Sequence, residues 1–305
     1  MNFTLHQLKI FQVVVRLKSI TKAAEVLNMT QPAVSIQIRN LQDQFEIPLT
    51  EVIGRQLYIT DFGMELAGIS EKILVDVDTV QHKMRAYKGI LSGTLRIAGV
   101  STGKYIMPYF LSEFMHQYAE IDLVLDIANR SKVIERLEKN EIDFALVSVV
   151  PTQLDFFEEI LMPNKLLFVR SVETPWHPEN DSDFTNMPLI HREAGSGTRI
   201  TLDKYFEKLN VTPKVRLTLT SSEAVKHAVL AGLGVSALSV FSLKNELEKG
   251  EVHLLPLSGF PLQSEWRLIW LKSKRLSPVC KAYLDFIRTY KESIFEQHFS
   301  WTNQY

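Results

Sequence analysis

One cysteine, Cys280, stands in 305 residues, so no disulfide can close within the chain and no thiolate cluster can hold zinc. The eight histidines are scattered, with neither H-x-x-x-H nor H-E-x-x-H spacing, so no metal site is expected. No Walker loop and no dinucleotide G-x-G-x-x-G occurs, so no nucleotide cofactor is expected either. No apolar run reaches ~18 residues, which leaves no candidate membrane helix. The stretch Met1 to Leu8 lacks a basic region followed by an apolar core. It does not read as a signal peptide, and the cytoplasm is the expected compartment. The net charge is −1, so the chain as a whole is no polyanion binder. There is no low-complexity segment and no internal repeat. At 46% hydrophobic and 23% charged, the composition is that of a folded protein, and the length suggests more than one domain.

The stretch from Ser19 to Phe45 organises the rest. Ala23, Ala24 and Leu27 follow Thr21, a candidate N-cap, at helical spacing. Small residues suit a steep helix crossing. Asn28-Met29-Thr30 interrupts the pattern, and Gln31-Pro32 restarts it with proline in a first turn, where its missing N–H costs nothing. Val34, Ile38, Leu41 and Phe45 form one apolar stripe. The other face shows Ser35, Gln37, Arg39, Asn40 and Gln42. Arginine reads guanine and amides read adenine in a major groove, so this is a helix-turn-helix signal. An ordinary helical hairpin with a solvated face would have similar spacing. Residues 1 to 58 carry six basic against four acidic side chains, a weak electrostatic footprint. Affinity for DNA then has to come from several placed contacts and two copies of the module.

Before this pair, residues 4 to 18 form a helix with Leu5, Leu8, Phe11 and Val15 on one face. After it, Leu57 and Ile59 alternate with Gln56, Tyr58 and Thr60, a short strand that makes a wing. Arg55 is placed to reach a phosphate. Thr60-Asp61 starts a long helix to about Tyr87. On it Leu66, Ile69, Ile73, Val77, Val80 and Met84 step by threes and fours, a seam for self-association. From Thr94 strands and helices alternate. Strands are expected at 95–98, 121–127, 142–147, 165–170, 215–220, 235–238 and 266–271, with helices at 104–118, 132–139, after Gly197, at 222–231 and from Pro278 to about Lys291. Chain crossings near 148–163 and 260–266 divide this part into two α/β lobes around a cleft. Trp176 to Asp183 reads as an exposed loop, and the aromatic segment from Phe295 to Tyr305 as one that docks on a neighbouring surface.

The residues Leu5-x-x-Leu8-x-x-Phe11, Ser19-Ile20-Thr21-Lys22-Ala23-Ala24-x-x-Leu27, Thr30-Gln31-Pro32-Ala33-Val34-Ser35, Gln37-Ile38, Leu41, Pro48-Leu49, Gly54-Arg55 and Thr60 resemble, in register, the N-terminal module of LysR-type transcriptional regulators. The resemblance implies an all-α winged helix-turn-helix at 1–60, a linker and dimerisation helix at 61–90, and an α/β, periplasmic-binding-protein-like effector domain at 91–305. Lobe I would take about 94–160 and 267–295, and lobe II about 161–266. It further implies contacts to double-stranded DNA from Thr30, Gln31, Pro32, Ser35, Ile36, Gln37, Arg39 and Arg55, and assembly as a dimer or a tetramer of two dimers. The chain departs from the family at Ile36, where arginine is common, and at Thr50 and Val52, where phenylalanine and arginine are common. Ile36 replaces a polar contact with an apolar group suited to a thymine methyl. A ligand-binding module that has lost DNA function is the reading these departures would favour.

Two loops carry candidate chemistry. Gly99-Val100-Ser101-Thr102-Gly103 satisfies G-x-S-x-G between a strand and a helix, the setting of a hydrolase nucleophile. A serine hydrolase with an accessory helical domain is therefore the rival reading. It needs a histidine oriented by a carboxylate, and His191, His227 and His253 belong to no such motif. The alternative is an anion-binding loop at a helix N-terminus. Glu193-Ala194-Gly195-Ser196-Gly197-Thr198-Arg199 precedes another helix, with hydroxyls, a guanidinium and a positive helix end. It resembles the effector loop of a LysR-type subgroup that regulates carbon fixation and sulfur-oxyanion metabolism. Ser101, Thr102 and Ser148 from one lobe and Ser196, Gly197, Thr198, Arg199 and Ser222 from the other are expected to meet on one small anion. Ser222, with Glu223 and Lys226, serves equally well as a helix cap.

Overall fold

A computed structural model describes residues 2–54, 56–87, 91–174 and 187–305, apart from the side chains of 75, 78, 79 and 81–87. Arg55, Met84 and the loop from Trp176 to Asp183 lie outside what is described. The chain forms two compact units, residues 1–90 and 91–305.

In the first unit, helix α1 (Leu5–Leu17) is opened by a reciprocal cap. The Thr4 hydroxyl accepts from the Gln7 amide at 3.2 Å, and the Gln7 side chain accepts from the Thr4 amide at 2.8 Å. Its buried face is Leu8, Ile10, Phe11 and Val14. Leu5 is exposed and Val15 only partly covered, so the face is turned from the one expected. Helix α2 (Ile20–Val26) is capped by Ser19, which accepts from the Lys22 amide, and not by Thr21. Ala23 and Ala24 are buried on α2, the small side chains expected where helices cross. Helix α3 (Gln31–Gln42), capped by Thr30, buries Val34, Ile38 and Leu41. Gln42 does not join the outward face. Its side chain accepts from the Leu49 amide at 2.5 Å and donates to the Ile47 carbonyl, holding the chain's exit from α3.

The wing is a hairpin of β1 (Thr50–Ile53) and β2 (Gln56–Ile59), paired from Thr50↔Ile59 to Ile53↔Gln56. Only β2 was expected. On β1 the run Glu51-Val52-Ile53 is exposed throughout, so it carries no alternation to read. Helix α4 (Asp61–Tyr87) starts at Thr60, whose hydroxyl accepts from the Gly63 amide and donates to the Pro48 carbonyl. Its first turns lie in the unit's own core, with Leu66 and Ala67 buried and the Gln12 side chain bonded to the Ala67 carbonyl. Leu66 is therefore not a free seam residue. Ile73 packs partly against the same core, whereas Ile69 and Val80 are exposed.

The second unit is built on one nine-stranded sheet. Parallel strands β3 (Gly93–Val100), β4 (Ile121–Ala128) and β5 (Phe144–Val147) form lobe I with helices α5 (Met107–Gln117) and α6 (Arg130–Glu138). A 3-10 turn, Ser101–Tyr105, separates β3 from α5. The chain then runs through β6 (Phe156–Ser171), sixteen residues long where a six-residue strand was expected. Lobe II follows with β7 (Leu189–Arg192), α7 (Gly197–Lys208), β8 (Val215–Leu219), α8 (Ser222–Leu230), β9 (Val235–Ser239), α9 (Lys244–Glu248) and β10 (Val252–Leu254). Strand β11 (Leu262–Leu271) returns antiparallel along β6, and α10 (Pro278–His298) packs on lobe I.

The strand order β4-β3-β5-β11-β6-β9-β7-β8 places the two long strands at the centre, shared by both lobes. Strand β5 pairs with the far half of β11, and β9 with the far half of β6. In parallel units ligands gather beyond the carboxyl ends of the strands. The loops after β3, β4, β5 and β7 consequently face one another across the cleft. The terminal aromatic segment docks within this unit, with Phe299 stacked on Phe110 and set edge-on to Phe241.

Gly63 is where α4 approaches the end of the turn that leads into β1. A Cβ there would lie 2.2 Å from the Leu49 carbonyl oxygen, a backbone atom that cannot step aside. Gly63→Ala should cost about 1–3 kcal/mol, the range of an overpacked core site. A thermal or urea melt of the first unit's transition measures it, and an unchanged melt would mean that α4 does not pack as described.

Candidate functional site

On α3 the buried stripe leaves an outward face of Thr30, Gln31, Pro32, Ile36, Arg39 and Asn40, all exposed, with Ser35 and Gln37 half-buried on its flanks. Thr30 spends its hydroxyl on the Ala33 amide. Gln31 reaches the Ser35 hydroxyl at 3.5 Å, the limit of a hydrogen bond, so both are available to an incoming polar edge. The exposed Arg39 guanidinium makes no hydrogen bond or ion pair among the described residues.

The cleft of the second unit holds a cavity of about 20 Å³, room for one water molecule, lined by Val100, Ser101, Thr102, Asn129, Arg130, Ser148, Arg192, Ser196, Gly197 and Thr198. Ser101, Thr102, Ser148, Ser196, Gly197 and Thr198 were expected there. The two arginines and Asn129 were not. Arg192 ends β7 and is only 4% exposed. Its guanidinium forms two bonds to the Glu193 carboxylate, at 2.8 and 2.9 Å, and further bonds to the Ser222 and Ser101 hydroxyls. Ser222 thus positions Arg192 from behind the cavity. The α8 cap is Ser221, which accepts from the Ala224 amide.

Arg130 opens α6, behind the Asn129 cap. It donates to the Val149 and Val150 carbonyls at 2.6 and 2.9 Å, and no carboxylate pairs with it among the described residues. Burial lowers its pKa from the usual arginine range, but a guanidinium stays charged at any pH a protein meets. Ser196 is the N-cap of α7, yet its hydroxyl makes no capping bond and is buried in the cavity wall. Two guanidiniums, one of them without a counter-charge, thus meet the N-termini of α6 and α7 and a set of hydroxyls. This is the chemistry of oxyanion capture.

Arg199 does not line the cavity. From the first turn of α7 it turns to its own lobe, donating to the Arg192 carbonyl at 3.1 Å and to Asp203 at 3.4 Å. It supports Arg192 through the backbone. The hydrolase reading fails on geometry as well. The Ser101 hydroxyl donates to the Ala128 carbonyl and accepts from Arg192, and no histidine lines the cavity among the described residues. His191, next to Arg192 on a strand and so on the opposite side of it, is held by Asp203 at 2.7 Å.

Among the described residues, hydrogen bonds and ion pairs join the lobes at three places around the cavity. Arg192 reaches Ser101. The Ser131 amide and hydroxyl both donate to the Gly195 carbonyl, at 3.3 and 3.4 Å. Gly195 has φ +83°, and a Cβ on it would lie 2.3 Å from the Ser131 hydroxyl, so only glycine permits the contact. Third, Glu223 on α8 takes Lys104 at 3.1 Å and the Tyr105 hydroxyl from the turn after β3.

Comparison with known proteins agrees with this architecture. The family model "Bacterial regulatory helix-turn-helix protein, lysR family" matches residues 5–64, and "LysR substrate binding domain" matches residues 88–292. The chain is similar to the HTH-type transcriptional activator CmpR of Synechocystis, 38% identical over 96% of this chain and 97% of that protein. It is 37% identical to a RuBisCO operon transcriptional regulator of Acidithiobacillus ferrooxidans, over 93% of each. Among solved structures, the regulatory domain of Synechocystis CcmR in complex with 2-PG matches with a TM-score of 0.62 and 31% identity, over 66% of this chain and 98% of that one.

The Glu223 contact carries a pH dependence. Burial raises its pKa, but the hydrogen bond from Lys104 and the charges of Lys226, Lys104 and His227 outweigh that and hold it below the usual carboxylate range. A depressed carboxylate contributes stability that is fully present above its unfolded pKa of about 4.3 and is lost as the pH falls through its folded value. Glu223→Gln should lower the melting temperature at pH 7 by the equivalent of at most about 1 kcal/mol, since the carboxylate is partly solvated. The gap to the unsubstituted protein should close as the pH drops below 4. A gap independent of pH would remove the charge from the contact.

Proposed function

The chain belongs to the LysR family and is a DNA-binding transcriptional regulator with an effector-binding domain, and from that premise we propose that its effector is a small oxyanion held between the lobes. Arg130 and Arg192 supply the charge. Ser101, Thr102, Ser148, Ser196 and Thr198 supply hydroxyl donors, and the N-termini of α6 and α7 supply aligned amides. The observation that carries this reading is the Arg130 guanidinium at the cavity wall, with no carboxylate among the described residues to meet it. The similar CcmR regulatory domain in complex with 2-PG supports a small-molecule effector for this domain.

In this account the described form is closed. The cavity has no room for a metabolite, while an adjoining groove of about 990 Å³ runs from Ser148 along Ile200, Lys204 and Lys208 of α7. The ligand enters as the lobes part about β6 and β11 and stabilises the arrangement in which both lobes touch it. Its influence is limited to its differential affinity for the two forms. The proposed division is 1–60 for DNA, 61–90 for linkage and 91–305 for the effector. The face of α3 with Thr30, Gln31, Pro32, Ser35, Ile36, Gln37 and Arg39 enters the major groove. Self-association runs through Ile69, Ile73, Val77 and Val80 of α4. Leu66, buried at home, is no longer included.

Titration calorimetry of the full chain with 2-PG, inorganic phosphate and sulfate tests the site. At least one oxyanion should bind the unsubstituted protein. Arg130→Ala and Arg192→Ala should each lose about 1.5–3 kcal/mol of that affinity, the scale of a hydrogen bond to a charged group. Arg199→Ala, which acts only through the Arg192 backbone, should lose less. Equal affinity in the Arg130→Ala protein would overturn the assignment.

A further inference from the structure

Helix α3 holds three aliphatic side chains that are buried, Val34, Ile38 and Leu41, and a fourth, Ile36, that is 53% exposed. At about 100° per residue, Ile36 lies about 170° round the helix from the centre of the buried stripe. It is the middle of the outward face, not its edge. Pro32 stands one turn before it, exposed, and Arg39 and Asn40 stand one turn after. The side chain at the centre of the outward face of α3 is therefore a branched hydrocarbon, flanked by Pro32, Arg39 and Asn40. Ile36 is not among the residues that the described core of the first unit covers.

The major groove has one apolar feature, the 5-methyl group of thymine, and apolar side chains read it by contact. A face whose polar members can read guanine and adenine, and whose centre is aliphatic, is complementary to a site with thymine at its centre. We infer that Ile36 is a specificity-determining residue that selects thymine by its 5-methyl group. Against a cytosine or guanine at that position the sec-butyl group would cover a polar base edge without a partner. Discrimination then comes from both the gain at thymine and the loss at the others. This inference rests on the α3 face entering the groove and is independent of the effector reading.

The full chain is first used to select its site from a randomised DNA library. Each thymine of the selected half-site is then replaced by deoxyuridine, which deletes the methyl and keeps every hydrogen-bonding group. At one thymine the unsubstituted protein should lose about fourfold in affinity, the value of burying one methyl group. Ile36→Ala should bind the thymine and uracil sites equally, and Ile36→Val should retain part of the difference. A library selected with Ile36→Ala should show no base preference at that position. Circular dichroism should be unchanged, because the side chain lies outside the core. If Ile36→Ala loses the same factor as the unsubstituted protein at every deoxyuridine, the inference is overturned. Arg39→Ala separates the two levels of the argument. Lost specificity there with no methyl dependence on Ile36 would keep α3 in the groove and reject Ile36 as the methyl reader. No effect from either would reject the placement of α3.

Discussion

Two guanidiniums, Arg130 of lobe I and Arg192 of lobe II, line one cavity of the second unit, and among the described residues only Arg192 has a carboxylate, Glu193, bonded to it; the proposed site depends on that imbalance. Arg192 is buried and matched by Glu193. Arg130 is partly buried and, among the described residues, matched only by carbonyl dipoles. A cation taken from water without a counter-ion costs free energy, and helix N-termini pointing the same way add to its potential. On the proposed reading, an anion that enters would complete this arrangement, with the hydroxyls setting its geometry and the charge its class.

The same residues tie ligand to conformation. Arg192 comes from lobe II and reaches Ser101 of lobe I, and Arg130 lies one residue from Ser131, whose amide meets Gly195. On the proposed reading, a ligand larger than the water-sized cavity has to shift the lobes to bind between these groups. The long strands β6 and β11 belong to both lobes, so a change in their relative tilt has two strands through which to pass. By linkage, an effector that favours one arrangement is itself bound more tightly by it.

The parts legible in the sequence were those with a local signal. The helix-turn-helix showed in the spacing of Ala23, Ala24, Val34, Ile38 and Leu41, and the sheet in alternating strands and helices. The serines and threonines of the two loops were legible because each precedes a helix. Strand β7 was missed because its four residues are all buried, with His191 and Arg192 breaking the apolar run. Arg192 and Arg130 were missed for a related reason. A buried arginine looks like a surface one until its partners, far along the chain, are known. Arg199 ends a glycine-rich motif, but on α7 its guanidinium is drawn away from the cavity, back to the Arg192 carbonyl and to Asp203 one turn further along the helix. Leu66 matched the seam by period alone, and period does not say which partner covers a residue.

The central claim is that one anion is held by both lobes at once, and hydrogen exchange of the full chain with and without 2-PG tests it most directly. The account predicts joint protection of the amides at 101–105 and 129–132 in lobe I and at 195–199 in lobe II, with a common dependence on ligand concentration. Protection confined to one lobe, or to neither when calorimetry shows binding, would contradict it.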